Sequence, residues 1–398
     1  MKRSQIFQES PATTIIFAST LVAVMGVSLI SPVLPAVQEA WNITEAQASL
    51  LLSAFTLPGV FLTIPIGIVI DRIGRKRIFI PSLVIFGLSG AGVVLLSSFE
   101  MILVLRAIQG AASSAIATLT VTLIGDLYTG EKRRTLIGMN AVFLAVGAAG
   151  YPLLGGALAT LSWMAPFICF LLGVVVALPG IVFLEEPSNN NSGADTSIRE
   201  FVTGAAPMKP YLVLYTAIFG IFLLLYGAQL TVVPFILANS YEYSSGVIGL
   251  LLGLPAVTMG LTAMQGDRLL QSFSSFQSIA LGFTSYGIGL VIVSMANSVY
   301  TVAGALLLFG VGQGLAEPIT DTALNELAPD EFRGSIMSIR TSVLRLGTTI
   351  GPPVFVGLAT IVGYAQTLLI GGGAALLVGV GWLLVRGSQT SRVVVSDQ

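Results

Sequence analysis

The sequence predicts an all-α membrane protein of 12 transmembrane helices in two pseudo-symmetric six-helix bundles. Three observations predict it: a charge-poor apolar composition, basic residues confined to alternate loops, and an internal repeat. The 398 residues are 55% hydrophobic and only 9% charged, whereas a soluble domain carries about 25% charged residues. Such a chain cannot cover a water-facing surface, so most of it must face lipid or other helices. A hydrocarbon core needs about 20 apolar residues per helix. Twelve segments qualify, near 12–34, 46–69, 78–97, 100–125, 135–160, 163–184, 210–237, 244–265, 275–297, 299–323, 334–361 and 364–386. The expected bundles are residues 1–184 and 210–398, joined by a polar, Asn/Ser/Gly-rich linker at 185–209.

Charge sets the orientation. Of the 18 Lys and Arg, 15 fall in the terminal segments and loops of one side, from Lys2 and Arg3 through Arg72–Arg77 and Lys132–Arg134 to Arg386 and Arg392. The opposite loops hold only acids: Glu39, Glu45, Glu100 and Glu242. Because Lys and Arg accumulate on the cytoplasmic side, both termini are expected there, in the plasma (inner) membrane. The first apolar segment is too long for a signal-peptide core and lacks a small-residue cleavage site before Pro32 and Pro35, so it reads as a retained helix. The halves repeat at a spacing of 200 residues: Gly110 matches Gly310, Arg133 matches Arg333, Gly147 matches Gly347 and Pro152 matches Pro352. A six-plus-six repeat is the sequence form of a transporter built from two rocking halves, with substrate near mid-membrane.

The turn between the second and third segments, Gly67 to Arg77, carries one acid, two glycines and four bases. Gly67 and Gly74 are expected to let the helices approach and turn tightly, and Asp71 to accept from helix-end amides and pair with a nearby Arg. A basic loop that only fixes topology is the plainer reading, but an acid gains nothing from that rule. The stretch resembles the signature loop of the major facilitator superfamily, G-x-x-x-D-R-x-G-R followed by Arg or Lys. Gly67, Asp71, Arg72, Gly74, Arg75 and Lys76 fill every place. The resemblance implies a twelve-helix transporter in which Asp71, Arg72, Arg75 and Asp126, at the end of the fourth helix, form a gating charge network.

Arg106 lies about two turns into the fourth segment, where a charge costs about 2.5–3.5 kcal/mol on insertion scales. It is therefore a functional candidate, the alternative being a side chain that snorkels to the nearer surface. With Gln109 and Gly110 it resembles the family's R-x-x-Q-G motif, whose Arg is implicated in proton coupling. The fifth segment, with Gly138, Gly147, Pro152, Gly155 and Gly156, resembles the exporter-associated pattern G-x8-G-x3-G-P-x2-G-G, Tyr151 replacing one Gly. The eleventh keeps Gly347, Gly351 and Pro352. Small residues let backbones pack closely and Pro permits bending; ordinary Gly-rich packing is the alternative, since 44 glycines are present.

The tenth and eleventh segments carry Glu317, Asp321, Arg340 and Arg345. Arg345 is about 18 Å deep at helical rise, twelve residues past Arg333. Depth matching pairs Asp321 with Arg340 and Glu317 with Arg345. Such pairs are either structural or, with a titrating acid, proton-coupling. The first segment has no acid between Ala12 and Val37, where several multidrug exporters of this kind keep one, so the expected proton site moves to Glu317. The amides Asn140, Gln229, Gln265 and Gln313 are candidate cavity residues, because an amide in hydrocarbon needs a partner.

Several classes are excluded. With no His and the single Cys169, the sequence lacks the usual ligands of a zinc or iron site, and it holds no Ser/His/Asp or Cys/His catalytic set. No phosphate-binding G-x-x-x-x-G-K motif occurs, so no ATP-driven pump is encoded here. No cofactor, metal or nucleic acid is expected. The expected partners are a small-molecule substrate, protons and the lipid bilayer, and the chain is expected to act as a monomer. The composite expectation is a proton-coupled exporter of small lipophilic compounds, similar to twelve-helix drug:proton antiporters. Alternatives are an importer or facilitator of a small organic anion or nutrient, suited by the two deep Arg, and a non-transporting sensor on the same scaffold.

Overall fold

The computed structural model describes residues 11–186, 208–266, 273–329 and 332–393. Among them are 12 helices long and apolar enough to cross a membrane. In the first half these are α1 (Pro11–Trp41), α2 (Glu45–Ile73), α3 (Arg75–Leu95), α4 (Phe99–Leu127), α5 (Gly130–Ala159) and α6 (Ala165–Phe183). In the second half they are α7 (Pro210–Asn239), α8 (Ser245–Ala263), α9 (Ser275–Met295), α10 (Val299–Leu327), α11 (Arg333–Val362) and α12 (Tyr364–Leu383). No strand occurs among the described residues.

Local chemistry sets the helix ends. Thr44 and Ser274 form capping boxes with Gln47 and Gln277, and Ser98 and Ser298 accept from the amides of Met101 and Thr301. Each cap satisfies amides that the helix itself cannot pair. The turn after α2 is tighter than its sequence suggests. Gly67 and Asp71 lie inside α2, and Gly74 alone stands outside a helix, at φ 114°. That backbone conformation strains any residue with a Cβ, so Gly74 makes the turn alone. Gly67 does not serve close approach: a Cβ there would meet nothing within 4 Å.

Four spans depart from regular α-helix, α3 only in its last turn, a 3-10 turn at Val93–Leu95. In α1 the α-helix ends at Ser28 and resumes at Leu34 after a 3-10 turn at Ser31–Val33 containing Pro32, which lacks an amide hydrogen. In α6 the departure is a 3-10 turn at Cys169–Leu171. In α7, residues Leu224–Val232 wind as a π-helix, and Thr231 donates its hydroxyl to the Tyr226 carbonyl, five residues back, at 2.6 Å. By contrast α5 and α11 run unbroken through Pro152 and Pro352.

By packing, the chain divides into two units. The first holds α1 to α6 and takes in Tyr243–Gly249 at the start of α8; the second holds the remainder. In the first unit, α4 packs against α1, α2 and α3. A Cβ on Gly110 would fall on the Phe55 carbonyl of α2, so α4 crosses α2 backbone to backbone. Phe86 stacks edge-on against both Phe55 and Phe170, tying α3 to α2 and α6. In the second unit α9 packs on α10 and α12, and α11 on α7. Gly310 repeats the Gly110 device there: its Cβ would strike Pro255 of α8. Leu and Val residues such as Leu88, Val104, Val142, Val182, Leu212 and Leu377 are left exposed, apolar surface of the kind that lipid can cover.

Candidate functional site

The basic end of the first unit holds a compact charge cluster. Arg75, the first residue of α3, is buried, and its Nε donates to Asp126 Oδ2 at the end of α4, at 3.0 Å. The carboxylate of Glu186, just past α6, covers the start of α3. It accepts from the backbone amides of Arg75 (2.5 Å), Lys76 (3.3 Å) and Arg77 (3.3 Å). These are the amides a helix start leaves unpaired, and the positive end of the helix dipole favours an anion there. Lys76 Nζ reaches the Ile181 carbonyl at 2.8 Å. The ends of α3, α4 and α6 are thus tied through two carboxylates. The arginine that meets Asp126 is Arg75; Arg72 is exposed, because three residues along the chain the backbone has already turned at Gly74. The side chain of Asp71 lies outside the described ones. Sequence reading placed Glu186 in the linker and missed it; the signal was its position directly after the last apolar residues of α6.

Arg106 is fully buried and does not snorkel. Its Nε donates to the Leu51 carbonyl (3.0 Å), Nη2 to the Gly26 carbonyl (2.6 Å) and Nη1 to Gln109 Oε1 (2.6 Å). The guanidinium lies over Phe55 at 4.8 Å and Phe170 at 5.8 Å. One side chain therefore joins α1, α2, α4 and α6. Its hydrogen-bond acceptors are three neutral oxygens, and no carboxylate among the described residues pairs with it. Hydrogen bonds to a charged group are worth about 1.5–3 kcal/mol each, enough together to offset burial. Asn140, a candidate cavity residue, accepts from Thr20 of α1 at 2.5 Å.

The second unit brings together the charges of α10 and α11. Arg340 grips Asp321 in a two-point bond, Nε to Oδ1 at 2.7 Å and Nη2 to Oδ2 at 2.6 Å. Glu317 is half-buried, with Arg340 and Asp321 as its charged neighbours and the Gln313 amide within reach of its carboxyl. The depth-matched pair of Glu317 with Arg345 does not form. Residues 340 and 345 are five apart, about 140° around a helix of 3.6 residues per turn, so only one of them can face α10. Glu317 and Asp321, four apart, share a face and share Arg340. Arg345 instead lies within electrostatic reach of Tyr226 in the π-helical stretch of α7. Gln229, in the same stretch, is buried with its Oε1 unbonded. Gln313 is buried, whereas Gln265 is exposed.

The expected packing residues divide. A Cβ on Gly347 would meet the Phe219 carbonyl at 2.8 Å, and one on Gly351 the Leu223 carbonyl at 2.9 Å, so both hold α11 against α7. Gly155 sits on the Leu29 carbonyl and Gly156 on that of Ser245, while Pro152 is buried between them and Gly147. Gly147 is closest to Tyr151, at 3.1 Å for an added Cβ. Gly138 has open space around it and packs against nothing. A cavity of about 410 Å³ opens at the other end of the second unit, lined by Ile236, Tyr241, Asn297, Tyr364 and Gln366 among others. Its lining carries no acid or base, and it lies far along the helices from the α10–α11 charges.

Twelve apolar helices carrying buried, mutually arranged charges within both units define a multi-pass membrane transporter rather than an enzyme. The chain belongs to the major facilitator superfamily, whose family model matches residues 16–235 and 214–397. It is 28% identical over 353 residues to the bacillibactin exporter of Bacillus subtilis, covering 85% of this chain and 87% of that protein. It is 26% identical over 364 residues to the multidrug efflux protein YfmO of the same organism, covering 88% and 87%. Its fold matches that of the nucleoside transporter NupG with a TM-score of 0.79, at 11% identity, over 93% of this chain and 98% of that one.

Proposed function

We propose that this protein exports small lipophilic compounds from the cell in exchange for protons, by alternating access between two six-helix bundles joined at 185–209. Both termini would be cytoplasmic, which puts the Arg75–Asp126–Glu186 cluster on the cytoplasmic side. The export direction is supported by relatives named as exporters of bacillibactin and of multiple drugs. The observation that carries proton coupling is Glu317. It is a carboxyl inside an apolar span, beside an Asp321–Arg340 pair that is already complete, and so not committed to an ion pair of its own. Intramembrane carboxyls of this kind mark proton relays. Taking up a proton there would remove its negative charge from beside the Asp321–Arg340 pair and shift the packing of α10 against α11.

The Arg75–Asp126 bond and the Glu186 cap act in this reading as the clasp that holds the helix ends of the first unit as one body. Arg106 acts as a positioning residue rather than a proton carrier, since its acceptors are neutral. The test is efflux from everted membrane vesicles energised by respiration. Wild-type export that collapses with a protonophore, and in Glu317→Gln with normal membrane levels of protein, is the expected result. Export that persists with the protonophore, or in Glu317→Gln with unchanged proton dependence, would remove the proton-coupling reading.

A further inference from the structure

Arg345 is the unexplained charge of the second unit. It lies about 18 Å along α11 from Arg333, near mid-membrane if α11 spans it. It is half-buried, and no carboxylate among the described residues lies within ion-pairing distance of it; Glu317 stands beside Arg340 and also within electrostatic reach of Tyr226. A cation kept at that depth without a counter-ion is costly. Arg106, the other deep cation, is satisfied by three oxygens, whereas no described residue gives the Arg345 guanidinium such an acceptor.

What stands near it points to a ligand. Tyr226 feels the Arg345 charge, is half-buried, and makes no side-chain hydrogen bond with another described residue. Its hydroxyl is a donor that an anion can use. The ring stands 6.5 Å from that of Phe222, which gives an apolar aromatic surface beside the charge. Tyr226 also lies in the nine-residue π-helical stretch Leu224–Val232, and π-helical winding is rare and frequent at functional sites when it occurs. Independently, the same stretch leaves Gln229 Oε1 buried and unbonded, which a native interior avoids unless something else completes it. Gly351 meets Gly227 inside this stretch and Gly347 meets Phe219 and Leu223 just before it, so α11 is packed closely on this part of α7.

We propose that Arg345 and Tyr226 form the recognition point for an anionic group, so that the exported compounds that use it are amphiphilic anions: a carboxylate, or an acid of similar charge, on an apolar aromatic body. The guanidinium supplies the counter-charge, the Tyr226 hydroxyl a hydrogen bond, and the aromatic face of α7 packs against the body. This rests on the export reading above and names the substrate class of that site. It also separates the roles of the two arginines of α11, Arg340 serving the acids of α10 and Arg345 the substrate.

The experiment is counterflow in proteoliposomes of the full chain, using 2-naphthoate, its neutral isostere 2-naphthamide, and the lipophilic cation ethidium. Wild type is expected to exchange 2-naphthoate about tenfold or more faster than 2-naphthamide, as loss of one charged hydrogen bond implies. Arg345→Gln is expected to remove that preference, slowing 2-naphthoate exchange far more than ethidium exchange. Arg345→Lys should restore part of it, and Tyr226→Phe should lower it less than Arg345→Gln does. Exchange of ethidium but not 2-naphthoate by wild type overturns the anion inference and leaves export standing. Exchange of none of the three overturns both. An equal fall for anion and cation in Arg345→Gln, with a lower melting temperature, assigns Arg345 to structure and overturns the inference.

Discussion

Asp321 holds Arg340 through both carboxylate oxygens, at 2.7 and 2.6 Å, and this single bond decides the roles of the neighbouring charges. The bond is partly buried, the Arg340 side chain being 15% and the Asp321 side chain 32% exposed. Breaking one partner strands the other charge among apolar helices. Asp321→Asn is expected to destabilise the detergent-purified protein by about 2 kcal/mol, less than the 3–5 kcal/mol of a fully buried pair. The double variant Asp321→Asn/Arg340→Gln should recover much of that loss. A thermal melt of wild type and both variants checks it; a double variant no better than the single would show that the pair is not what stabilises this site.

Glu186 caps α3 with a charge rather than with a local Ser or Thr. Removing it leaves amides at the start of α3 without their acceptor. Glu186→Ala is expected to cost about 1 kcal/mol, the usual worth of a cap, and Glu186→Gln somewhat less because an acceptor oxygen remains. The charge component is screened by salt, so the gap between wild type and Glu186→Gln should narrow at high ionic strength. Melting temperatures at low and high salt measure this directly.

Arg106 is held by its planar fork, which delivers three donors in three directions. A lysine carries a point charge on a flexible stem and cannot reproduce that geometry. Arg106→Lys is expected to lower stability by about 2–4 kcal/mol, one or two charged hydrogen bonds. Because its acceptors are neutral, the pH profile of the remaining transport should keep its wild-type shape. A displaced pH profile would return Arg106 to proton coupling.

Gly110 and Gly310 mark where one helix backbone lies on another. Alanine at either is expected to force the helices apart, at about 1–3 kcal/mol or more for overpacking, and to reduce the monodisperse fraction in size-exclusion chromatography. Alanine at Gly67 or Gly138, where added atoms meet open space, should be tolerated. Equal behaviour of all four variants would contradict the packing described.

The pairing of Asp321 with Arg340 was legible in the sequence because depth along a helix is linear in residue number. The Glu317–Arg345 pair failed because depth alone ignores rotation. The five-residue spacing of the two arginines already places them on different faces. Tyr226 as the neighbour of Arg345 was not legible at all, since nothing in LLYGAQLTV announces a π turn. Likewise Arg75 could be told from Arg72 only once Gly74 was seen to make the whole turn.

Composition, apolar length and the sidedness of basic residues determined the class of this protein: lipid penalises charge and unpaired backbone wherever they stand, so the sequence must record the spans directly. The internal repeat and the signature turn likewise determined the family. Which oxygens receive Arg106, which acid holds Arg340, that Glu186 caps α3, and that Arg345 is left beside Tyr226 were decided only by the tertiary structure. Those contacts depend on the rotation and local winding of each helix against its neighbours, and that is set by packing between segments far apart in the chain.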